Sequence, residues 1–506
     1  MDDNNNKQKI IDNIEVCLQE KTLQVFRLQT DEYIAFIETE GTHMFPLYSK
    51  VFSLALRAFY KGRFNADISD SKAKEIISHL EVVAYGNTLD YELSNRIYKD
   101  DEQIIYDLNS DGEVVWITKG EYSIEILNEL YFRRNQFYQS QIKPHLQQNP
   151  RRLLYYVEKH FNLKNDNQVK TLAIYLASCF WGNSIQHPIL YLQGDMGSSK
   201  STSLRKIEML VDPKSIDLLG VPKGMDGLEL RLADSYFVAL DNISYVSKPL
   251  SDILCRAVTG GSVTKRMLYE NTREISVKIK ALIGITSISM VFTEADILDR
   301  TLILNLQRLG DNTKTEQAIW DEFNKDMPHI LGCCFACIAV ALKDKKPVNL
   351  EKRIRLYDWE VCCVKIGRAL GISDQKTAEL LTINQREVNR ETLNESVEAQ
   401  CLIKFMRGRI NYKSSVEQLL AKLKDIAEEN EINVHLLPKT PNHLSRKLNL
   451  VKSCLEYEVG ISYDIQNVGS YREIRIEKKT PKTIANIDSQ KKKPLKRADR
   501  IKNSRR

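Results

Sequence analysis

The feature of the sequence that most limits its fold is an apolar run that leads through a loop of small residues into a helical run. Residues 187–193 predict a strand and residues 203–211 predict a helix. A loop at a helix N-terminus turns backbone N–H groups toward phosphate oxygens. In such a loop Lys200 reaches the β and γ phosphates, and the Ser201 hydroxyl ligates Mg²⁺. We therefore predict a nucleotide site made of Gly194, Asp195, Met196, Gly197, Ser198, Ser199, Lys200, Ser201 and Thr202.

This loop departs from the usual pattern at one position. Ser199 stands where a glycine is expected directly before Lys200, while Gly194 and Gly197 supply the remaining backbone freedom. A serine can adopt the loop conformation at a modest energetic cost. The alternative is a serine-rich loop before an ordinary helix, although the flanking strand and helix favour the phosphate loop.

A second apolar run, residues 236–240, ends in Asp241 and Asn242. A carboxylate at the end of such a strand lies beside a phosphate loop and holds Mg²⁺, so Asp241 is the predicted metal carboxylate, together with Ser201. Many motor ATPases follow this aspartate with a glutamate that orients the attacking water. Asn242 can position water but cannot accept its proton. Either Glu229 or Asp252 takes that role, or hydrolysis is slow.

Residues 194–306 resemble the superfamily 3 helicases of the AAA+ class, most of all the primase-associated helicase type of phages, plasmids and integrative elements. The resemblance implies an ATP hydrolase that uses ATP and Mg²⁺ and forms a homo-oligomeric ring, usually a hexamer, on DNA. It assigns catalytic roles to Lys200, Asp241, Asn242 and Arg300.

The resemblance also implies a basic β-hairpin between Asp241 and the next strand, with its turn at residues 271–274. In the family this hairpin contacts DNA phosphates in the channel of the ring. The alternative is a surface hairpin with solvated charges. The residues that would contact DNA are Lys265, Arg266, Arg273, Lys278 and Lys280.

Two further family positions follow this hairpin. The strand at residues 281–287 ends in Thr286 and Ser287, where the family has a polar sensor, commonly Asn, so either residue would have to serve. Arg300 precedes the next strand and matches the arginine that reaches the ATP of a neighbouring subunit. The alternative is an ion pair between Arg300 and Asp296 or Asp299 of its own subunit.

The C-terminal part predicts two helices followed by a hairpin. The first helix covers residues 416–426, and the second begins at Thr440 and Pro441 and continues to Gly460. This order is typical of a winged helix, whose second helix enters a DNA groove and here carries Arg446 and Lys447. A winged helix that contacts protein is the alternative.

The predicted fold is α/β, with a P-loop AAA+ core around a parallel sheet, an α+β domain before it, and a helical lid and a winged helix after it. The predicted domains are residues 1–145 (α+β), 150–310 (ATPase core), 311–400 (helical lid), 401–477 (winged helix) and 478–506 (basic tail), and residues 140–150 suggest a linker.

The charge of the chain is unevenly distributed. The net charge is +6, but residues 478–506 alone carry twelve lysines and arginines against two aspartates. A basic tail of this kind usually meets a polyanion such as single- or double-stranded DNA, although it can simply solubilise the chain.

Composition suggests a cytoplasmic protein without a membrane span. The longest apolar run, residues 330–342, is shorter than the ~18 residues that a membrane span needs. The ten cysteines lie in apolar contexts, so we expect reduced thiols that pack as small apolar side chains rather than zinc ligands.

These observations predict an ATP-dependent DNA helicase or translocase that replicates a mobile genetic element, with a separate primase or polymerase. The alternative is a DNA-binding replication initiator that uses ATP as a switch and unwinds little. A packaging ATPase is a third reading, but it needs a nuclease domain, and residues 310–475 show no suitable cluster of acidic residues.

Overall fold

The computed structural model describes most of the chain and divides it into two compact units. One unit comprises Met1–Val291 and Arg300–Thr382, and the other comprises Phe292–Asp299 and Ile383–Arg506. The described residues are 2–29, 32–38, 42–89, 92–110, 112–127, 132–133, 137–220, 225–266, 274–288, 290–292, 294–308, 310, 314–350, 354–468 and 471–479.

The first unit begins with three helices on a small antiparallel sheet, whose strand order is β1-β2-β3. Apolar side chains of all three helices form a common core with the sheet. Helix α1 begins in a polar segment of the sequence that carries no clear helical signal. The elements are α1 (Asp2–Gln19), β1 (Leu23–Arg27), β2 (Tyr33–Glu38), β3 (Thr42–Pro46), α2 (Lys50–Phe64) and α3 (Asp70–Tyr85).

A second antiparallel sheet follows, with strand order β5-β6-β7-β8, and β4 pairs separately with β9. The suggested linker at residues 140–150 has no helix or strand but is well packed. Gln141 is buried, and its Nε2 donates to the Tyr106 hydroxyl and to the carbonyl groups of Met209 and Leu210. The strands are β4 (Ser94–Asn95), β5 (Ile97–Lys99), β6 (Ile104–Ser110), β7 (Glu113–Ile117), β8 (Tyr122–Ile126) and β9 (Phe132–Arg133).

The predicted parallel sheet is present, with strand order β11-β14-β10-β15. Its strands are nearly continuous apolar runs because both faces of the sheet are covered. The elements are α4 (Arg152–His160), α5 (Asp166–Ser178), β10 (Ile189–Gln193), α6 (Lys200–Val211), α7 (Met225–Asp234), β11 (Phe237–Leu240), α8 (Lys248–Thr259), β12 (Gly261–Arg266), β13 (Glu274–Ile279), β14 (Leu282–Ser287), α9 (Ala295–Leu298) and β15 (Thr301–Asn305).

Three long helices follow the sheet: α10 (Glu316–Lys343), α11 (Tyr357–Leu370) and α12 (Asp374–Glu395). Helix α10 is long and apolar enough, by length and composition alone, to cross a membrane, but 67% of its most apolar stretch is buried inside the protein. It packs against α4, α5 and α11, which is the arrangement of a core helix.

The cysteines are reduced and packed in apolar surroundings, as the sequence predicts. All ten are free thiols, and all except Cys255 are buried. Burial raises the pKa of the Cys334 and Cys337 thiols well above the ordinary value. These thiols therefore stay protonated at neutral pH and contribute to the structure as small apolar side chains.

The second unit contains a three-stranded antiparallel sheet, with order β16-β18-β17, that packs with its helices around one apolar core. The helix predicted from Thr440 to Gly460 is in fact two helices, because the backbone leaves the helical conformation at Val451. The elements are α13 (Val397–Phe405), β16 (Asn411–Ser415), α14 (Val416–Glu429), α15 (Pro441–Leu450), α16 (Lys452–Val459), β17 (Ile461–Val468) and β18 (Tyr471–Lys478). Residues 480–506, most of the predicted tail, lie outside the described residues.

Candidate nucleotide-binding site

The predicted phosphate loop connects the end of β10 to the start of α6. Gly197 and Ser199 both have left-handed backbone conformations, with φ of 80° and 60°. A Cβ atom on Gly194 would lie 2.6 Å from the carbonyl oxygen of Leu306, so only glycine fits there. The loop thus has the tight backbone that phosphate binding requires, and Ser199 adopts a conformation that glycine takes more easily.

The Lys200 side chain lies over this loop. Its Nζ donates to the carbonyl oxygens of Gly194 and Asp195, each at 2.7 Å, and lies 3.4 Å from the Ser198 hydroxyl. Burial lowers the pKa of Lys200, although Asp195 and Asp241 act in the opposite direction. The ammonium group is therefore held at the mouth of the loop, where phosphate oxygens would compete with these carbonyl groups for it.

The Asp241 carboxylate joins the loop to the sheet. Its Oδ1 accepts from the Ser201 hydroxyl at 2.8 Å and from the Thr286 hydroxyl at 2.5 Å. The three residues meet because β14, which carries Thr286, lies between β10 and β11. We call Ser201, Asp241 and Thr286 the hydroxyl–carboxylate cluster. Its oxygen atoms suit Mg²⁺, which Ser201 and Asp241 would hold and which would neutralise charge on the phosphates.

Thr286 and Ser287, the two candidate sensors, have different surroundings. Thr286 Oγ1 also accepts from the Asn242 N–H at 2.8 Å, so it contacts both residues at the end of β11. The Ser287 hydroxyl instead donates to the carbonyl oxygen of Ile243 at 2.7 Å. This geometry favours Thr286 as the sensor, because Ser287 uses its hydroxyl to support the backbone.

Asn242 is exposed and has a left-handed backbone, with φ of 55°. Asparagine tolerates this conformation better than most residues, which accounts for its occurrence at this turn. The two alternatives for the catalytic base lie on neighbouring helices. Glu229 is buried on α7, whereas Asp252 is exposed on α8.

Arg300 lies where the parallel strands begin, at the end of the sheet opposite to the phosphate loop. Its carbonyl oxygen accepts from the N–H of Ile189, the first residue of β10, at 2.8 Å. The loop follows the last residue of β10, roughly 13 Å away along the strand. The Arg300 side chain is largely buried, with only 8% of its surface exposed. An arginine at the amino-terminal end of the strands is poorly placed to reach a nucleotide bound at the phosphate loop of the same chain.

The predicted basic hairpin exists as β12 and β13, paired from Gly261 with Ile279 to Arg266 with Glu274. The turn predicted at residues 271–274 ends one residue too late, because Glu274 already belongs to β13, and residues 271–273 lie outside the described residues. Arg273 and the side chains of Lys265 and Arg266 lie outside the described residues.

The two other hairpin lysines are described. Lys278 is exposed and forms an ion pair with Glu92. Lys280 is half-buried, and burial lowers its pKa. Lys278 therefore lies on the hairpin as predicted but already has an acidic partner within the chain, whereas Lys280 directly follows the end of β13.

In the second unit, Arg446 and Lys447 are exposed on α15. Leu444 and Leu448 on the same helix are buried in the core of the unit. The two basic residues therefore belong to the solvent face of an amphipathic helix, as the sequence predicted.

A buried ion pair behind the site was not predicted. Asp212, which ends α6, lies 3.0 Å from the Arg96 guanidinium, and neither side chain has any exposed surface. The second oxygen of Asp212 accepts from the N–H groups of Tyr236 and Phe237, where β11 begins. This pair links the loop helix to the strand that leads to Asp241. No local pattern could reveal it, because Arg96 is 116 residues from Asp212.

The backbone strain at Ser199 gives a first prediction. We expect Ser199→Gly to raise the free energy of unfolding by about 0.5–1 kcal/mol, because relief of the left-handed conformation exceeds the added entropy of the unfolded chain. Urea unfolding followed by tryptophan fluorescence measures this. Ser198→Gly is the matched control and should destabilise, since the Ser198 hydroxyl donates to the Asp195 carbonyl oxygen at 2.8 Å. A Ser199→Gly protein no more stable than wild type contradicts the prediction.

Two family models match the chain in sequence. Residues 157–381 match a model described as the actinomycete integrative conjugative element replication protein. Residues 399–492 match a model described as the AICE RepA C-terminal domain. A search of curated protein sequences finds no match.

Solved structures, one of them described as an active helicase, are also similar. The C-terminal region of NrS-1 has 10% sequence identity and a TM-score of 0.39, over 91% of this chain and 97% of that chain. The active helicase Cch of SCCmec type IV has 12% identity and a TM-score of 0.46, over 90% of this chain and 93% of that chain. Both TM-scores lie below 0.5, so these similarities carry no conclusion about the function of this chain. In sequence, the chain is similar to the replication proteins of integrative conjugative elements.

Proposed function

We propose that the chain is an ATP hydrolase that drives DNA unwinding or translocation during replication of an integrative element. The observation that carries this proposal is the hydroxyl–carboxylate cluster next to Lys200 at the carboxyl edge of a parallel sheet. This arrangement provides a lysine for the β and γ phosphates, two oxygen ligands for Mg²⁺ and a sensor hydroxyl. The family matches supply the link to replication of an integrative element.

Two surfaces support DNA as the partner. The hairpin of β12 and β13 carries the basic positions expected to contact a strand inside a ring. In the second unit, a helix and a strand are followed by three helices and a hairpin, an order that supports a winged helix with α15 in the position of the groove-reading helix. Arg446 and Lys447 on its exposed face would contact DNA, and the basic tail would add affinity of a kind that falls as salt rises.

The position of Arg300 supports a homo-oligomeric ring, for which a hexamer is the expected size. An arginine at the amino edge of the sheet serves the ATP of a neighbouring subunit better than that of its own. Because its side chain is buried in the single chain, the proposal requires Arg300 to change rotamer when subunits assemble. Priming would come from a separate primase or polymerase.

The second candidate is a replication initiator that uses ATP as a switch. Asn242 favours it, because an exposed asparagine holds the position at which motor ATPases carry a glutamate. Such a protein would bind ATP through the same cluster, turn it over slowly, and bind duplex DNA more tightly with ATP than without.

ATP hydrolysis by the purified chain, with and without single-stranded DNA, separates the two candidates. The motor predicts several-fold stimulation by DNA that is lost in both Lys200→Ala and Arg300→Ala. Mixing Arg300→Ala with Lys200→Ala subunits should restore part of the activity, because intact sites then form at some interfaces. Negligible turnover, together with ATP-dependent tightening of duplex binding, would overturn the motor and favour the initiator.

A further inference from the structure

A column of planar side chains lies away from the nucleotide site, where residues 140–156 meet the middle of α10. The rings of His145 and His329 stack with their centres 4.6 Å apart and an angle of 21° between planes. His329 in turn lies parallel to Tyr156 at 6.2 Å, and the Arg152 guanidinium lies 5.3 Å from the centre of the Tyr156 ring. The column therefore runs from an imidazole at one end to a guanidinium at the other.

The ends of this column are exposed, while its middle is fixed by the core. Tyr156 is buried, whereas His145 and Arg152 are exposed. The His145 backbone N–H donates to the carbonyl oxygen of Pro328 at 2.9 Å. A Cβ atom on Gly332 would lie 2.1 Å from the His145 carbonyl oxygen, so α10 approaches this segment as closely as a glycine permits. His145 is thus a flat ring held rigidly at the surface.

Cations and a second exposed aromatic ring surround one end of the column. Arg151 and Arg152 begin α4, and Tyr155 follows one turn later with 56% of its surface exposed. Among the described residues neither arginine forms an ion pair, and the Arg152 guanidinium donates to the Tyr156 hydroxyl at 2.8 Å. The first turn of α4 carries no acidic residue. Cations at the positive end of a helix are unfavourable, and a bound anion would offset this cost.

We propose that His145, Arg151, Arg152 and Tyr155 form a binding patch for single-stranded DNA. The exposed rings stack on unpaired bases, and the two guanidinium groups contact backbone phosphates. A duplex does not suit this patch, because its bases are stacked on one another and present no free face. The inference rests on the proposed function only for naming DNA as the polyanion, since stacking and phosphate contact need neither ATP nor a ring.

Binding of a fluorescently labelled oligothymidine to the full chain, measured by anisotropy without nucleotide, tests the patch. Tyr155→Ala should weaken binding about tenfold, because stacking of one base is lost. Tyr85→Ala, which removes a tyrosine of similar exposure (63%) at the end of α3, is the matched control and should leave binding unchanged. Duplex binding should be the same in both variants and in wild type.

The salt dependence tests the phosphate contacts separately. In the Arg151→Ala/Arg152→Ala variant, the slope of log Kd against log salt should decrease by about 1.4, since each phosphate contact to a single strand contributes about 0.7. Cross-linking with an iododeoxyuridine oligonucleotide should place the label on a peptide containing His145 or Tyr155. Melting followed by circular dichroism checks that each variant is folded.

The outcomes separate this inference from the proposed function. Unchanged affinity and salt slope in folded variants, or cross-links only at other surfaces, would overturn the patch even if ATP hydrolysis is stimulated by DNA. Weakened single-strand binding and a cross-link at His145 or Tyr155 would support the patch even if ATP hydrolysis is negligible.

Discussion

Replacement of Asp241 by asparagine is expected to lower the rate of ATP hydrolysis at least about 100-fold while the protein stays folded. Asparagine has the same shape and keeps an oxygen that accepts from Ser201 and Thr286, so the local hydrogen bonds can survive. What is lost is the negative charge that would hold Mg²⁺ beside the phosphates, and loss of such an electrostatic contribution typically costs two orders of magnitude or more.

Phosphate release measures this rate, and binding of a fluorescent ATP analogue with and without Mg²⁺ identifies its cause. The variant should bind the analogue with an affinity that no longer depends on Mg²⁺. Asp217→Asn is the matched control, because Asp217 is an exposed carboxylate that pairs with Arg205 of α6 and is not part of the cluster. Near-normal turnover in Asp241→Asn would exclude Asp241 as the metal carboxylate.

The parts of this site that the sequence could predict are those encoded in short runs. An apolar strand, a glycine-containing loop and a Lys-Ser-Thr triplet identify β10, the loop and α6, because each depends on neighbours in sequence. The pairing of β14 between β10 and β11 follows from the fold alone. Adjacent strand residues point to opposite faces of a sheet, and the sequence does not show which face lies toward Asp241. The preference for Thr286 over Ser287 as the proposed sensor therefore depends on the structure.

Other features escaped prediction because tertiary contacts determine them. Helix α1 has a polar start in the sequence, and its residues Ile10 and Ile14 are buried by packing against other elements. The break at Val451 interrupts an apolar stripe whose spacing fits one continuous helix. Helical spacing indicates which side chains can be buried together, but it does not show where the backbone leaves the helical conformation.

The largest effect on stability is expected when the buried ion pair of Arg96 and Asp212 is broken. Asp212 is also 3.1 Å from Lys214, so its carboxylate serves two cations and two backbone N–H groups. Asp212→Asn would leave Arg96 without a counter-charge in the interior, and it would leave Lys214 with only the Glu208 carboxyl, at 3.7 Å. We expect the free energy of unfolding to fall by about 3–5 kcal/mol, which is the typical cost of breaking a buried pair from one side. The four tryptophans all lie in the first unit, so their fluorescence in urea reports this loss.

A double-mutant cycle distinguishes this explanation from a general packing defect. Arg96→Met should also destabilise the protein, because the buried guanidinium donates to the carbonyl oxygens of Asp107, Gln139 and Pro213 as well as to Asp212. The double variant should cost less than the two single changes together, since the partner charge has already been removed. Lys74, in an exposed pair with Asp70, provides the control, and Lys74→Met should change stability by no more than about 1 kcal/mol.

The pH dependence follows from the same contacts. Burial alone would raise the pKa of Asp212, but Lys214 and Arg96 hold it below its ordinary value of 3.8. A carboxyl group whose pKa is depressed in the folded state stabilises the protein above its unfolded pKa and ceases to do so as the pH falls through the folded value. Glu208 also faces Lys214, and burial raises the pKa of Glu208 to about 7, so the comparison is made with Glu208→Gln present in both proteins. In that background the effect of Asp212→Asn on stability should be constant near neutral pH and shrink only below about pH 4. An effect that already shrinks between pH 7 and pH 5 would mean that the Asp212 carboxylate is not paired as the structure has it.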